Sequence, residues 1–288
     1  MTPTILITGS EGQLGRSIRN VAKKVLPDFS LLYTDIENLD ITDTDQIRRT
    51  VQESNCRFII NTAAYTAVDQ AEKDPEGAFL INAKAVENLA TVAREKNALL
   101  IHISTDYVFD GMSRCPYRTD DSTDPISVYG KSKRAGELAI QESGCRAALF
   151  RTSWLYSPYG HNFVKSILQN GRTRESLKVV NDQYGAPTLA EDLAEVLLLY
   201  VKREDLHQKY RIYHYANEGI TTWYEFAVEI LRLAGIATPV IPITTSEYNF
   251  ATPRPSWSVF DLSKIKEELR ITIPDWKESL GKAIERIY

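Results

Sequence analysis

The chain contains 288 residues, of which 43% are hydrophobic, and its formal net charge is −4. This length is sufficient for one large core, or for a core with a smaller lobe. The slightly acidic charge argues against nucleic-acid binding and against a basic membrane-surface patch. No uninterrupted apolar run approaches the ~18 residues that a membrane-spanning helix needs.

Cysteine and histidine usage points to a reducing compartment and to no metal. Cys56, Cys115 and Cys145 lack paired spacing, which predicts free thiols. The N-terminus enters a strand pattern directly, without a basic-then-apolar signal sequence, so we expect a cytoplasmic protein. The histidines are scattered, and we expect His102 and His161 to be structural or exposed rather than catalytic.

The first elements predict a dinucleotide site. An apolar run at residues 4–8 leads into Gly9, Gly12 and Gly15, and an amphipathic stretch covers residues 14–26. In such a strand–turn–helix unit the first glycine permits the tight turn. The second lets the backbone approach a pyrophosphate, and the third allows close helix–strand packing. The phosphates would lie at the helix N-terminus, where free N–H groups favour anions.

A second apolar run, at residues 29–34, ends in Asp35. An acidic residue about twenty positions beyond the last glycine is expected to accept hydrogen bonds from the adenosine ribose. Its charge would repel a 2′-phosphate and favours NAD, whereas Arg16 is a counterweight that favours NADP. The choice of nicotinamide cofactor therefore stays open, and the ordinary alternative is that Asp35 only caps a turn.

Strands and helices alternate beyond Asp35, which is typical of βαβ units with a parallel sheet. The expected elements are helices near 42–53 and 75–96 and strands at 58–61, 99–104 and 147–150. We predict an α/β fold, a Rossmann-type doubly wound parallel sheet with a smaller, α-rich substrate-binding lobe. A helix at about 189–202 and a strand near 212–214 are expected to return to the sheet. The dinucleotide-binding domain is then 1–151 plus about 187–217, and the lobe is about 152–186 and 218–288.

The pair Tyr129 and Lys133 is the candidate catalytic unit. The two residues stand four apart after a helix start, so their side chains share one helix face. A lysine ammonium is expected to lower the pKa of a neighbouring phenol, which could then act as a general acid or base. Thr105 ends a predicted strand, and its hydroxyl could bind a substrate oxygen alongside Tyr129. The ordinary alternatives are a solvated helix face and a turn-forming threonine.

Together these motifs resemble the extended short-chain dehydrogenases/reductases. The stretches that carry the resemblance are the glycine turn at 8–15, the segment 104–109 and the Tyr129/Lys133 pair. Further stretches at 61–69, 151–156, 162–163, 181–188 and 252–255 are similar to the dTDP-4-dehydrorhamnose reductase family. This resemblance extends over nearly the whole chain.

The resemblance implies a cofactor, a substrate and a mechanism. The cofactor would be NADPH, with NADH as the alternative, and it would be bound by Gly9, Gly12, Gln13, Leu14, Gly15, Asp35, Asp40, Ile41, Ala63, Ala64, Tyr65, Thr66, Tyr129 and Lys133. The substrate would be the dTDP-linked 4-keto sugar dTDP-6-deoxy-L-lyxo-4-hexulose, bound by Thr105, Asp106, Trp154, Asn162, Gln183, Tyr184 and Arg254. Hydride would pass from the nicotinamide to C4, and Tyr129 would protonate the C4 oxygen to give dTDP-L-rhamnose. Lys133 would bind the nicotinamide ribose and tune Tyr129, Thr105 would orient the keto oxygen, and Arg254 would hold the diphosphate.

The sequence departs from that family at one position that is connected with metal binding. Some members of that family are thought to dimerise through magnesium held by glutamates, one of them just after the glycine turn. Here that position reads Gly15-Arg16-Ser17, without a carboxylate. We therefore expect no metal requirement and a monomer or a homodimer.

Other readings stay open. A related nucleotide-sugar enzyme, such as a 4-epimerase or a 4,6-dehydratase, would use the same Tyr129/Lys133 pair, although the order Thr105-Asp106-Tyr107 disfavours a dehydratase. A non-catalytic NADP-binding regulatory subunit is the alternative from another class. For the outer residues the ordinary readings are core packing for Trp154, turn shaping for Gln183 and Tyr184, and a surface position for Arg254.

Overall fold

The structure, a computed structural model, describes residues 3–248 and 250–287. The first part of the chain forms β1 (Thr4–Thr8), α1 (Gln13–Val25), β2 (Ser30–Thr34), α2 (Thr44–Glu53), β3 (Cys56–Asn61), α3 (Val68–Ala71), α4 (Pro75–Phe79), α5 (Ala85–Glu95), β4 (Leu99–Thr105), α6 (Val128–Ser143) and β5 (Ala147–Thr152). The remainder forms β6 (Leu155–Tyr156), α7 (Phe163–Thr173), β7 (Leu177–Val180), β8 (Tyr184–Gly185), β9 (Thr188–Leu189), α8 (Ala190–Val201), β10 (Arg211–Tyr215), β11 (Thr221–Thr222), α9 (Trp223–Leu233), β12 (Val240–Ile243), α10 (Thr245–Tyr248), α11 (Ser263–Leu269) and α12 (Trp276–Ile287).

Six strands of the described chain form a parallel sheet in the order β2-β1-β3-β4-β5-β10. The chain runs from β1 to β2 on one side and then to β3 on the other side of β1. The strand order therefore reverses between β1 and β3, and such a switch point opens a crevice at the carboxyl ends of the strands. The predicted α/β class with a doubly wound parallel sheet is confirmed.

Both faces of this sheet are covered, as a parallel sheet requires. Helices α1 and α8 pack on one face around a core that includes Ile7, Ile18 and Leu197. Helices α2, α5 and α6 cover the other face, where Leu6, Ile59 and Leu89 are fully buried. No helix in the described ranges is long and apolar enough to cross a membrane.

The predicted helix at 75–96 is interrupted. It consists of α4, one turn of π-helix at Leu80–Lys84, and α5. At this turn the carbonyl of Asn82 lies against α6, and a Cβ on Gly136 would be 2.1 Å from that oxygen. The sequence pattern predicts one continuous helix here and does not reveal this turn, since such turns are rare, single-turn interruptions of α-helices.

A second group of elements lies beyond β5. Helices α7, α9 and α12 share a separate core that includes Leu168, Phe226 and Leu280. Three two-stranded sheets, β6–β9, β7–β12 and β8–β11, connect this group, and the sequence pattern does not predict them. The strand β10 pairs with β5 in the main sheet. The predicted lobe boundaries stay a prediction.

Candidate active site

The glycine turn lies at the switch point, between β1 and β3. Gly9 has φ +65°, and a Cβ at this position would be 2.6 Å from the backbone nitrogen of Ala63. A Cβ on Gly15 would be 2.5 Å from the Cα of Ser10. Side chains are thus excluded here by backbone on both sides. Gly12 is the N-cap of α1 and brings no capping side chain, so the first N–H groups of the helix remain available to an anion.

A cleft beside the turn fits the adenosine half of a dinucleotide. It is lined by Gly9, Gly12, Asp35, Ile41, Ala63 and Ala64, together with neighbouring apolar side chains. Asp35 Oδ2 accepts a hydrogen bond of 2.9 Å from the backbone N–H of Glu11, which fixes the carboxylate at the mouth of the turn. The backbone and small side chains leave room for a flat ligand, and the one carboxylate offers an acceptor for ribose hydroxyls.

Asp40 lies beside this cleft rather than in its lining. Its Oδ1 accepts hydrogen bonds from the N–H of Thr42 at 2.8 Å and from the Thr42 hydroxyl at 2.7 Å. The carboxylate thereby shapes the turn that leads into α2. Ile41 follows it and is buried.

The loop after β3 is held by Asn82 of the π-helical turn. The side chain of Asn82 accepts from the N–H of Tyr65 and donates to its carbonyl, both at 2.9 Å. It also donates to the hydroxyl of Ser132 on α6 at 3.0 Å. One amide therefore fixes the predicted cofactor loop to the helix that carries Tyr129. The neighbouring Thr66 is exposed.

Tyr129, Lys133 and Thr105 are brought to one edge of the sheet. Tyr129 lies in the first turn of α6, where the Ser127 hydroxyl caps the helix by accepting from the N–H of Gly130 at 3.1 Å. Tyr129 is 8% exposed and Lys133 is 2% exposed. The Thr105 hydroxyl accepts from the N–H of Tyr107 at 3.2 Å and donates to Asp106 Oδ1 at 3.0 Å. A hydrogen-bonding interaction with the Thr105 side chain also lowers the pKa of the Tyr129 phenol.

The predicted effect of Lys133 on the Tyr129 pKa is wrong in this structure. Burial raises the pKa of Tyr129, the Thr105 side chain partly offsets this, and Asp106 adds to it. The Lys133 Nζ donates to the carbonyl of Ile103 at 2.7 Å, so the backbone of β4 receives its hydrogen bond. Burial also lowers the pKa of Lys133 to about 8. Tyr129 thus holds its proton at neutral pH, as a proton donor must.

Asp106 is a buried carboxyl with spare hydrogen-bonding capacity. It is 4% exposed, and its Oδ2 has no partner at hydrogen-bond geometry, although the Ser258 hydroxyl lies near enough to oppose the rise in its pKa. Burial raises its pKa to about 6. An unpaired buried acceptor costs free energy unless a ligand satisfies it. Asp106 therefore has the chemistry of a group that binds a hydroxyl.

The aromatic side of the site comes from the second group of elements. Trp154 has φ +47° and stacks on Trp223, with ring centroids 3.7 Å apart. A Cβ on Gly185 would be 2.7 Å from the Trp154 ring, so only a glycine lets the backbone approach that ring so closely. Gln183 is buried and donates to the Thr245 hydroxyl at 3.1 Å, whereas Tyr184 is 43% exposed.

Asn162 has a position that links the two parts of the chain. Its side chain caps α7, and its Nδ2 donates to Gln13 Oε1 at 2.9 Å. The same Gln13 oxygen accepts from the Ser157 hydroxyl at 3.0 Å. Gln13 is therefore engaged by the segment after β6, and Leu14 beside it is buried in α1.

Arg254 reaches across to the first part of the chain. Its Nη2 lies 2.7 Å from Asp69 Oδ1, and its Nη1 donates to the Tyr107 hydroxyl at 3.4 Å. The side chain of Arg254 is 14% exposed. The Tyr107 ring in turn packs edge-on against Tyr129, at 5.5 Å between centroids. A single chain of contacts therefore joins Arg254 to the candidate catalytic residue.

Sequence reasoning missed three polar residues that organise this site: Asn61, Asn82 and His102. The available signal was a polar residue in an otherwise apolar buried strand, which describes His102 in β4 and Asn61 at the end of β3. The sequence predicts that His102 is structural or exposed, and it is fully buried. In the described ranges no group of three or more histidine, cysteine, aspartate or glutamate side chains is arranged to hold a metal ion.

Comparison with known proteins gives a consistent result. The family model for the RmlD substrate binding domain matches residues 3–288. A dTDP-4-dehydrorhamnose reductase from Aggregatibacter actinomycetemcomitans is 39% identical, and the match covers 96% of each chain. A crystal structure of dTDP-4-dehydrorhamnose reductase from Bacillus anthracis in complex with NADP is 37% identical, with a TM-score of 0.93 and coverage of 99% of each chain. A dTDP-4-dehydrorhamnose reductase structure from Clostridium acetobutylicum is 40% identical, with a TM-score of 0.92 and coverage of 98% of each chain. The chain therefore belongs to the dTDP-4-dehydrorhamnose reductase family.

Proposed function

We propose that this protein reduces the C4 ketone of dTDP-6-deoxy-L-lyxo-4-hexulose to give dTDP-L-rhamnose, with NADPH as reductant. The observation that carries the proposal is the buried Tyr129, which keeps its proton and lies beside Thr105 at the edge of the sheet that holds the glycine turn. Ketone reduction builds negative charge on oxygen and needs a proton donor aimed at that oxygen.

The cofactor supplies the hydride when it is bound. Tyr129 donates a proton to the C4 oxygen, and the Thr105 hydroxyl orients the same oxygen. Because these groups lie in a nearly dry site, their hydrogen bonds to a developing oxyanion are stronger than they would be in water. Lys133 would hold the nicotinamide ribose.

The remaining predicted residues would bind the nucleotide sugar. Asp106 Oδ2 would accept a hydrogen bond from a sugar hydroxyl, and the half-buried Trp154 would offer an apolar surface. Arg254 would bind the diphosphate, since a guanidinium fork matches phosphate oxygens. Gln183 and Tyr184 precede Gly185, which lies against the Trp154 ring, and would bind the same ligand, whereas Asn162 would act through Gln13.

NADPH is the proposed cofactor, with NADH as the alternative. Arg16 and Arg19 lie next to the glycine turn and pair with Glu11, at 3.2 Å and 2.7 Å. Cations at this place would attract a 2′-phosphate, whereas Asp35 would favour a free ribose hydroxyl. We also propose that the chemistry needs no metal, and that the enzyme is a cytoplasmic monomer or homodimer. The free state of Cys56, Cys115 and Cys145 supports the reducing compartment.

The experiment that tests this function is a cofactor-oxidation assay with the purified protein and freshly generated 4-keto sugar. NADPH and NADH would be tested separately, with and without EDTA. We expect turnover that EDTA does not affect, and a decrease in kcat of about 10²–10⁴-fold in Tyr129→Phe, because the variant lacks the proton donor.

The same assay distinguishes the alternatives. A 4-epimerase would regenerate its bound cofactor and show no net NADPH oxidation with this sugar. A regulatory subunit would bind NADPH without turnover. Either result, from a protein that still binds the cofactor, would exclude the reductase function.

A further inference from the structure

A buried chain of polar side chains crosses the sheet and ends at Lys133. It begins at Thr8 on β1, passes through Asn61 on β3, and reaches His102 on β4, where Asn61 and His102 are register partners. The His102 Nδ1 lies 2.9 Å from Asn61 Nδ2, and its Nε2 lies 3.5 Å from Lys133 Nζ. Thr8, Asn61 and His102 are all at most 1% exposed, so water does not compete for these contacts.

The amide of Asn61 has only one orientation that fits its neighbours. Its Oδ1 lies 3.2 Å from the backbone N–H of Ala63, which can only donate a hydrogen bond. The Thr8 hydroxyl donates to the same oxygen at 2.6 Å. The Asn61 NH₂ group must therefore face His102, and because this group can only donate, His102 Nδ1 must be an unprotonated acceptor.

This fixes the tautomer of His102. A neutral imidazole carries its one proton on whichever nitrogen does not accept, so the proton is on Nε2. Burial lowers the pKa of His102 well below its ordinary value, and Lys133 lowers it further, which keeps the ring neutral. The Nε2–H is thus directed at the Lys133 Nζ.

We propose that His102 is a positioning residue for the reductase reaction: its Nε2–H faces Lys133 and disfavours the ammonium form of that lysine. An ammonium has no lone pair and meets this N–H unfavourably, whereas a neutral amine can accept from it. The inference rests on the proposed role of Lys133. The contact with His102 lowers the proton affinity of Lys133. Lys133 can then return a proton to the Tyr129 phenolate after Tyr129 has protonated the substrate.

One other group, and the burial of Lys133 itself, act on the charge of this lysine. The Glu137 carboxylate, one turn along α6, favours the ammonium form, and burial of Lys133 disfavours it. Glu137 is itself held by Arg151, 2.8 Å away, and by Arg134, 3.1 Å away, which leaves it less able to compensate Lys133. The carbonyl of Ile103 accepts from Lys133 in either charge state. The orientation of the neutral His102 ring therefore adds to the effect of burial in this balance.

The first test reads the tautomer directly in the wild-type protein. Long-range ¹H–¹⁵N NMR of histidine-labelled protein distinguishes the two neutral tautomers from imidazolium, and a His102→Asn variant assigns the signal. We expect an Nε2–H tautomer with unprotonated Nδ1 throughout the neutral range. An Nδ1–H tautomer or a charged ring would overturn the inference. Since no substrate is involved, this result is separate from the reductase assignment.

The second test is the pH profile of kcat/KM. His102→Asn keeps an acceptor for Asn61 and removes the N–H from Lys133, whereas His102→Gln can turn its carbonyl toward Lys133. The wild type should lose activity as the pH rises through about 8, where Lys133 loses its proton. Both variants should move this alkaline limb upward by about one pH unit, and the glutamine variant should move it further.

The control is His207→Asn. His207 is also buried and bonds the carbonyl of Tyr200 at 2.9 Å, but it is outside the site. This variant should lower thermal stability and leave the alkaline limb in place. If the His102 variants lose activity uniformly with an unmoved limb, or if the limb moves down, His102 has only a structural role. If neither His102 variant folds, the wild-type tautomer decides, with the His102 signal assigned through its contact with Asn61.

Discussion

Asp106 is the residue at which stability and binding oppose each other. Its folded pKa of about 6 lies above the ordinary carboxyl value, because burial disfavours the charge. A raised carboxyl pKa contributes stability that is present below the unfolded pKa of about 4 and is lost as the pH rises through about 6. Asp106→Asn should therefore raise the free energy of unfolding at neutral pH by on the order of 2 kcal/mol, an advantage that vanishes near pH ~4. Urea unfolding at several pH values measures this, and substrate KM should rise in the same variant.

Asp110 provides the matched control with the opposite sign. Its carboxylate accepts from the N–H of Met112 and from the Tyr117 hydroxyl, which holds its pKa below the ordinary value. Asp110→Asn should lower the free energy of unfolding at neutral pH, and this loss should shrink as the pH falls. A similar neutral-pH destabilisation in Asp106→Asn would show that charge burial does not dominate at Asp106.

At the scale of elements, the π-helical turn Leu80–Lys84 determines how the cofactor loop meets α6. Asn82→Ala removes the hydrogen bonds to Tyr65 and Ser132, and an unsatisfied buried group costs about 1–3 kcal/mol. We expect a lower melting temperature and an increase of roughly tenfold in the KM for NADPH, since the loop loses its fixed position.

Asn82→Asp separates the two halves of this connection. It keeps the acceptor for the Tyr65 N–H and removes the donors to the Tyr65 carbonyl and to Ser132. Its effect on the KM for NADPH should lie between those of wild type and Asn82→Ala. Lys84→Ala, at an exposed position of the same turn, should change neither quantity. If all three variants had the same KM for NADPH as the wild type, the π-helical turn would have no role in cofactor binding.

Most regular elements are readable from the sequence because a doubly covered sheet imposes strong patterns. The strands at 99–104 and 147–150 are almost wholly apolar, and the actual β4 and β5 extend them by one or two residues. The two-stranded sheets beyond β5 are not readable, because two to four residues carry no period. The π-helical turn lies against Gly136 through the carbonyl of Asn82, a contact between residues far apart in sequence that a local pattern does not contain.

For the candidate site, the sequence predicts the location but not the electrostatics. The glycine spacing and the Tyr129/Lys133 pair predict the correct edge of the sheet, because each reflects local geometry: a tight turn and one face of a helix. The charge relation within that pair is not readable, because it depends on burial and on which acceptor Lys133 reaches. In the structure that acceptor is the carbonyl of Ile103, contributed by β4.

At the scale of the whole molecule, Arg254 is held by a group that would compete with the substrate. It pairs with Asp69, whose side chain is 55% exposed, while the proposed ligand of Arg254 is a diphosphate. Arg254→Ala should raise the KM for the dTDP-sugar about tenfold or more, since a charge-assisted hydrogen bond is lost. Asp69→Asn should lower that KM, because it frees the guanidinium. Steady-state kinetics at fixed NADPH measures both, and changes in the same direction would contradict the competition.

The position of β10 has a consequence for how the protein is made. This strand completes the sheet beside the wholly buried β5, yet about sixty residues that build β6 to α8 separate the two. While a ribosome is translating that stretch, β5 is the open edge of the sheet, and such an edge invites pairing with another chain. The emerging polypeptide therefore exposes this edge until Tyr215 has left the exit tunnel, and no single cut of the chain separates the six-stranded sheet from the elements between β5 and β10.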